Sequence, residues 1–111
     1  MQTLLGRAVP RRAEALVGAA VEDTRVVLVN GARQSGKSTL VRIVAKGRDA
    51  QWRDLDTALT RQAALEDPDG FVDESALMVI DEIQRVPGLL LSIKAQVDAH
   101  PRPGRYLLTG S

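Results

Sequence analysis

The chain has 111 residues, 44% hydrophobic and 26% charged, which suits one small globular domain and is too apolar for a disordered chain. It has no cysteine, which excludes disulfides and thiolate metal sites. The formal net charge is +1, but residues 1–53 carry ten Lys or Arg against four Asp or Glu, and residues 54–111 carry five against ten.

The basic first half has two explanations, nucleic-acid binding or a phosphate-binding loop beside a solvated helix face. We favour the second, because no aromatic side chains interleave the arginines as a base-stacking surface requires. The apolar runs are far shorter than a membrane span, and residues 1–7 lack the pattern of a signal peptide. We therefore expect a cytoplasmic protein without a membrane partner.

The first half of the chain predicts a helix, a strand, a helix and a weaker strand. Helical spacing predicts an amphipathic helix over residues 11–21, with an apolar side formed by Ala13, Leu16, Val17 and Ala20. The β-branched run at 26–29 predicts a strand buried on both faces, as in a parallel sheet. A helix over 37–45 follows, and residues 51–55 predict the weaker strand.

The second half continues the alternation. Asp56 and Thr57 can cap a helix that runs to about Glu66, and residues 67–70 (Asp-Pro-Asp-Gly) are expected to end that helix. Residues 76–80 predict a second buried strand. Another helix is predicted after Val86-Pro87-Gly88, with its apolar side marked by Leu90, Ile93 and Val97.

A short strand over residues 106–108 completes the pattern. Strands that alternate with helices predict right-handed βαβ units, and hence a three-layer α/β domain around a parallel sheet. We divide this single domain into an N-terminal helix region, residues 1–24, and a core, residues 25–111.

The strongest motif lies between the first strand and the second helix, where the chain fits G-x-x-x-x-G-K-[ST] at every fixed position. Its candidate nucleotide-binding residues are Gly31, Ala32, Arg33, Gln34, Ser35, Gly36, Lys37, Ser38 and Thr39. The glycines allow backbone N–H groups to form a nest for phosphate, and the following helix adds its partial positive charge. Lys37 can bind the β- and γ-phosphates, and the Ser38 hydroxyl can bind Mg²⁺. The motif predicts a phosphate loop that binds ATP with Mg²⁺.

An acidic pair follows the strand predicted at residues 76–80. Because the carboxyl ends of parallel strands face one ligand crevice, Asp81 is expected near Ser38 as a second Mg²⁺ ligand. Glu82 is expected to orient and polarise a water that attacks the γ-phosphate. Gln84 either contacts the γ-phosphate or simply starts a helix.

Three spaced motifs resemble those of a family of bacterial and archaeal AAA+-type ATP-binding proteins. The motifs are Gly31 to Leu40, Asp81-Glu82-Ile83-Gln84-Arg85-Val86-Pro87 and Leu107-Leu108-Thr109-Gly110-Ser111. The resemblance covers about residues 7–111. It implies a RecA-like sheet of order 5-1-4-3-2, with ATP and Mg²⁺ as ligands. It also implies that Thr109, or alternatively Ser111, is the polar sensor residue that touches the attacking water or the γ-phosphate; an ordinary turn is the other interpretation of Thr-Gly-Ser.

The chain departs from this family by stopping at the sensor strand. The fifth strand, the arginine finger, the helical lid and a C-terminal domain are then expected to be missing, and Arg33, Arg85 and Arg105 remain as cations with no assigned role. We expect ATP turnover to be slow, and the first strand to form an exposed edge that invites self-association. The sequence indicates no particular protein or nucleic-acid partner.

Two alternative functions stay open. Asp54-Leu55-Asp56 resembles the Asp-x-Asp with which shikimate-kinase-like enzymes bind magnesium and substrate, so a small-molecule kinase is one alternative. The other is a nucleotide-binding fragment that holds ATP without hydrolysing it.

Overall fold

The structure is a computed structural model that describes residues 11–30, 37–46, 48–74 and 76–110. The described residues form four strands: β1 (Val26–Asn30), β2 (Gln51–Asp54), β3 (Met78–Asp81) and β4 (Tyr106–Gly110). They also form five α-helices: α1 (Arg11–Asp23), α2 (Lys37–Ala45), α3 (Ala58–Glu66), α4 (Pro68–Phe71) and α5 (Leu89–Ala99). A 3₁₀ turn, Ile83–Arg85, links β3 to α5. None of the helices in these ranges has the length and hydrophobicity to cross a membrane.

The four strands form one parallel sheet in the order β1-β4-β3-β2. This order confirms the predicted 1-4-3-2 arrangement. The register pairs Asn30 with Gly110 and Asp54 with Asp81, so the carboxyl ends of all four strands meet at one edge of the sheet. Side chains at these ends therefore lie close together although they are far apart in the sequence.

Two apolar clusters lie on opposite faces of the sheet. Helices α1 and α2 cover one face, where Val41 and Val44 pack with Val79 and Leu107. Helices α3 and α5 cover the other, where the alternate strand residues point. Because successive strand residues point to opposite faces, β3 and β4 contribute to both clusters. The three-layer α/β architecture is confirmed.

Two predicted core residues are wrong. Leu16 and Leu90 are exposed, whereas Val17 packs on the core and Leu89 is fully buried. The predicted sides are otherwise right, because Val17 packs on the core and Ile93 and Val97 are buried. Successive residues of a helix differ by about 100° in direction, so a neighbour of a packed residue can still point outward. On α5 the buried row is instead Leu89, Ile93 and Val97, at the i, i+4, i+8 spacing that faces the sheet.

Strand β1 is also less buried than predicted. Leu28 is 52% exposed, although the apolar run predicted burial on both faces. The strand lies at an edge of the described sheet, and the apolar cluster on the face that Leu28 shares takes its buried strand residues from β3 and β4.

Other differences concern element ends. Thr57 does occupy the N-cap of α3, but its side chain makes no capping hydrogen bond. Asp67 ends α3 as predicted and then accepts a 3.1 Å hydrogen bond from the Gly70 N–H, which starts the short helix α4. Strand β4 extends to Gly110, so Thr109 and Gly110 belong to the strand and not to a turn.

Candidate functional site

The carboxyl edge of the sheet brings three predicted site residues together from distant parts of the chain. Lys37 is the first residue of α2, Glu82 follows β3, and Thr109 lies near the end of β4. Each is buried, whereas buried Lys and Glu are rare unless they are paired. Each of the three residues has partners at this edge.

Lys37 points into the protein. Its side chain is 3% exposed, and its Nζ donates a 2.8 Å hydrogen bond to the backbone carbonyl of Gly110. The same Nζ lies 3.6 Å from Oε2 of Glu82. The ammonium is thus held between a carbonyl at the end of β4 and a carboxylate at the end of β3, which offsets the cost of burying its charge.

Thr109 joins the two predicted acids. Its hydroxyl donates to Oδ1 of Asp81 and accepts a 3.0 Å hydrogen bond from the backbone N–H of Glu82. A hydroxyl has a single proton, so in this arrangement that proton is committed to Asp81. Thr109 is fully buried, and it fixes the end of β3 from the neighbouring strand.

Glu82 has an uncommon backbone conformation. Its φ of 62° and ψ of 52° lie in the left-handed region, which costs a non-glycine residue roughly 1–2 kcal/mol. This conformation ends β3 and turns the chain into the 3₁₀ turn, where the Arg85 N–H donates to the Glu82 carbonyl. Such strained residues persist where the surroundings hold them, often at functional sites. Here the Thr109 hydroxyl holds the N–H of Glu82, and Lys37 lies beside its carboxylate.

Gln84 reaches back to this carboxylate. Its Nε2 donates a 2.6 Å hydrogen bond to Oε1 of Glu82. A Cβ added at Gly110 would lie 3.3 Å from Oε1 of Gln84 and 3.3 Å from Oδ1 of Asn30, so the missing side chain of Gly110 leaves room for both. Sequence reasoning did not identify this contact, which depends on the turn made at Glu82, or the role of the Gly110 carbonyl, which depends on how the end of β4 lies beside α2.

Several predicted nucleotide-binding residues lie outside the described part of the chain. These are Gly31, Ala32, Arg33, Gln34, Ser35 and Gly36, together with the side chain of Ser38 and the alternative sensor residue Ser111. Thr39 is described, and it is exposed on the first turn of α2.

The two acids at the end of β2 have their own partners. Oδ1 of Asp54 accepts a 2.9 Å hydrogen bond from the N–H of Asp56, and Oδ1 of Asp56 accepts one of 3.0 Å from Nε of Arg85. Arg85 therefore ties the 3₁₀ turn to the loop after β2. Arg105 lies before β4, at the opposite edge of the sheet, where its guanidinium donates to the carbonyls of His100 and Glu74.

The donor set at this edge fits a nucleotide with a divalent cation. Asp81 supplies a half-buried carboxylate, the kind of ligand that Mg²⁺ prefers, and Lys37 supplies an ammonium suited to phosphate. Both lie at the carboxyl ends of parallel strands, where α/β sheets bind their ligands. Among the described residues no group of three or more His, Cys, Asp or Glu forms a metal cluster.

Comparison with known proteins gives a family match and two uncharacterized relatives. A family model described as "AAA domain" matches residues 23–111. The chain is 34% identical over 101 residues to uncharacterized proteins of Mycobacterium bovis (Mb2031c) and Mycobacterium tuberculosis (Rv2008c). This match covers 91% of the chain but 23% of each relative, so the chain spans about a quarter of their length. No solved structure matches.

Proposed function

The chain belongs to the AAA domain family, and from that premise we propose that it binds ATP with Mg²⁺ and hydrolyses it. The family supports an ATPase-like nucleotide-binding domain. The observation that carries the finer proposal is the contact set at the carboxyl edge, where Lys37, Asp81, Glu82 and Thr109 converge.

Each residue has a separate role in the proposed reaction. Residues 31–36 and the N–H groups at the start of α2 cradle the phosphates, and Lys37 binds the β- and γ-phosphates with its charge. Asp81 and the Ser38 hydroxyl would hold Mg²⁺, which would neutralise charge on the phosphate oxygens. Thr109 is a positioning residue, since it holds both the Asp81 carboxylate and the Glu82 backbone.

Glu82 is the group proposed to act on water. Its carboxylate accepts a hydrogen bond from a water and takes its proton as the water oxygen bonds to the γ-phosphorus. The bond from that phosphorus to the β–γ bridging oxygen breaks, ADP leaves with the electron pair, and the proton passes on to the released phosphate. No residue outside the carboxyl edge is needed for these steps, although a charge-neutralising arginine would accelerate them.

The two alternative functions, a small-molecule kinase and a non-hydrolysing fragment, would differ from an ATPase in their products. A small-molecule kinase transfers the γ-phosphate to an added hydroxyl acceptor, and a non-hydrolysing fragment releases no ADP. The kinase alternative depends on Asp54 and Asp56. One oxygen of Asp54 accepts a hydrogen bond from the Asp56 N–H, and one oxygen of Asp56 pairs with Arg85. We therefore expect ADP and free phosphate in equal amounts, whether or not shikimate or another hydroxyl acceptor is added. Quantitative detection of ADP, free phosphate and phosphorylated acceptor tests the proposal, and transfer to the acceptor would replace it.

Asp81→Asn is expected to weaken the Mg²⁺ dependence of ATP binding. The amide keeps the shape of the side chain and its hydrogen bond with Thr109, but it removes the negative charge that attracts the cation. Titrating Mg²⁺ at fixed ATP should show the half-saturating concentration raised by about 10-fold or more, since one hydrogen-bonded charge contributes roughly 1.5–3 kcal/mol. Asp98→Asn on the exposed side of α5 is the matched control. An unchanged Mg²⁺ requirement in Asp81→Asn would remove Asp81 from the proposed metal site.

Self-association through β1 stays a prediction. The supporting observation is that Leu28 remains half exposed on a strand at the edge of the described sheet. A cytoplasmic location is likewise proposed from the sequence, and neither a nucleic-acid nor a protein partner is assigned.

A further inference from the structure

We propose that Gln84 is a positioning residue that holds the Glu82 carboxylate in the orientation needed to act on water. This inference rests on the proposed ATPase function, and it adds a residue to which that function assigned no role. Nε2 of Gln84 donates a 2.6 Å hydrogen bond to Oε1 of Glu82.

The two oxygens of Glu82 face different partners. Oε1 accepts from the neutral amide of Gln84, and Oε2 lies 3.6 Å from the ammonium of Lys37. Phosphate would compete more strongly for one of these two partners than for the other. Phosphate attracts the charged ammonium of Lys37 more strongly than the neutral amide of Gln84, because charge-assisted hydrogen bonds are roughly twice as strong as neutral ones. In the proposed complex Lys37 turns towards the phosphates, and the Gln84 bond to Oε1 stays in place.

The Gln84 bond therefore fixes one oxygen of the glutamate. With Oε1 held, rotation of the carboxylate is restricted, and Oε2 is presented to the space in which Lys37 meets the phosphates. Orientation of this kind is valuable, because a small misplacement of a reacting group costs about 10²-fold in rate.

The backbone supports the same assignment. The left-handed conformation of Glu82 starts the turn that brings the side chain of Gln84 back to the side chain of Glu82. The absence of a side chain at Gly110 leaves the space in which the Gln84 amide lies, since a Cβ there would approach Oε1 of Gln84 to 3.3 Å. The strained turn and the glycine at the end of β4 both permit this one contact.

The contact can be tested without nucleotide by NMR of side-chain amides. A short hydrogen bond to a carboxylate moves the bonded amide proton of Gln84 downfield, and Glu82→Ala should return it to the ordinary position. Glu82→Gln, which keeps an acceptor but loses the charge, should give an intermediate shift. The chain contains a matched pair, since Nε2 of Gln62 donates to Oε2 of Glu66 at 3.2 Å on the exposed side of α3. Glu66→Ala should leave the Gln84 signal unchanged.

The role is tested by the single-turnover rate of ATP hydrolysis as a function of ATP concentration. Gln84→Leu keeps similar bulk and removes the donor, so the rate at saturating ATP should fall about 10- to 100-fold while the half-saturating ATP concentration changes less than about 2-fold. Gln84→Glu places a second carboxylate against Glu82 and should lower the rate at least as much. Gln62→Leu should behave as wild type.

The outcomes separate this inference from the proposed function. An unshifted Gln84 amide, or a Gln84→Leu chain that hydrolyses at the wild-type rate, overturns the role of Gln84 while wild-type hydrolysis stands. A loss of ATP affinity equal to the loss of rate also overturns it, because Gln84 would then bind nucleotide. If the wild-type chain releases no ADP, the proposed function and this inference both fail.

Discussion

Replacing Lys37 by alanine is expected to abolish measurable ATP binding. In the structure its ammonium lies buried at the carboxyl edge, held by the Gly110 carbonyl and close to Glu82. The substitution removes the positive charge proposed to bind the β- and γ-phosphates, and it also leaves the Glu82 carboxylate without its cation. Removing one partner of a hydrogen-bonded charge pair between a protein and what it binds costs about 2–5 kcal/mol, which corresponds to a loss of about 30-fold or more in affinity.

Fluorescence anisotropy of a labelled ATP analogue measures this loss. Lys94→Ala is the matched control, because Nζ of Lys94 lies on the exposed side of α5 and pairs only across the surface with Asp98 among the described residues. Its ATP affinity should equal that of the wild type. Thermal unfolding of both variants shows whether the chain has kept its fold. A folded Lys37→Ala chain with wild-type affinity would contradict the assignment of the phosphate loop.

Glu82→Gln should separate binding from hydrolysis. The glutamine has the same shape, and its amide oxygen can still accept from Gln84, so ATP affinity should stay within about 3-fold. It cannot take a proton from water, and loss of a general base lowers rates by about 10²–10⁴-fold. ADP release over hours by purified chain, measured beside binding of the same preparation, gives both quantities.

The control for this variant is Glu66→Gln on the exposed side of α3, where the same change alters a surface hydrogen bond with Gln62. It should bind and hydrolyse ATP as the wild type does. If Glu82→Gln hydrolyses at the wild-type rate, another group activates the water and the role assigned to Glu82 is wrong.

Much of the fold was predictable because local signals agreed. The bounds of α2 follow from apolar spacing between glycines, and the strand order is the one that the family resemblance implies. The carboxyl ends of parallel strands meet at one edge, which placed Lys37, Asp81 and Glu82 together. The errors at Leu16 and Leu90 have a different origin. A helical repeat with two neighbouring apolar residues fits two directions about equally well, and only the position of the sheet decides between them.

The fine structure of the site was not predictable from the motifs. Whether a glutamate adopts the left-handed conformation depends on groups that fix it in space, and here one of them is the Thr109 hydroxyl on a neighbouring strand. The return of Gln84 onto Glu82 follows from that conformation. Spacing alone left Gln84 as a phosphate contact or a helix start, since both interpretations assume an ordinary backbone at Glu82.

Calorimetric titration of the purified chain with ATP, in the presence of Mg²⁺ and after its removal with a chelator, tests the central claim most directly. The claim is that the carboxyl edge of this sheet binds ATP together with Mg²⁺. We predict saturable binding at a single site with Mg²⁺ and markedly weaker binding without it, because the cation would offset the negative charges of Asp81 and the phosphates. Absence of binding heat at millimolar ATP, or equal affinity with and without Mg²⁺, would contradict the account.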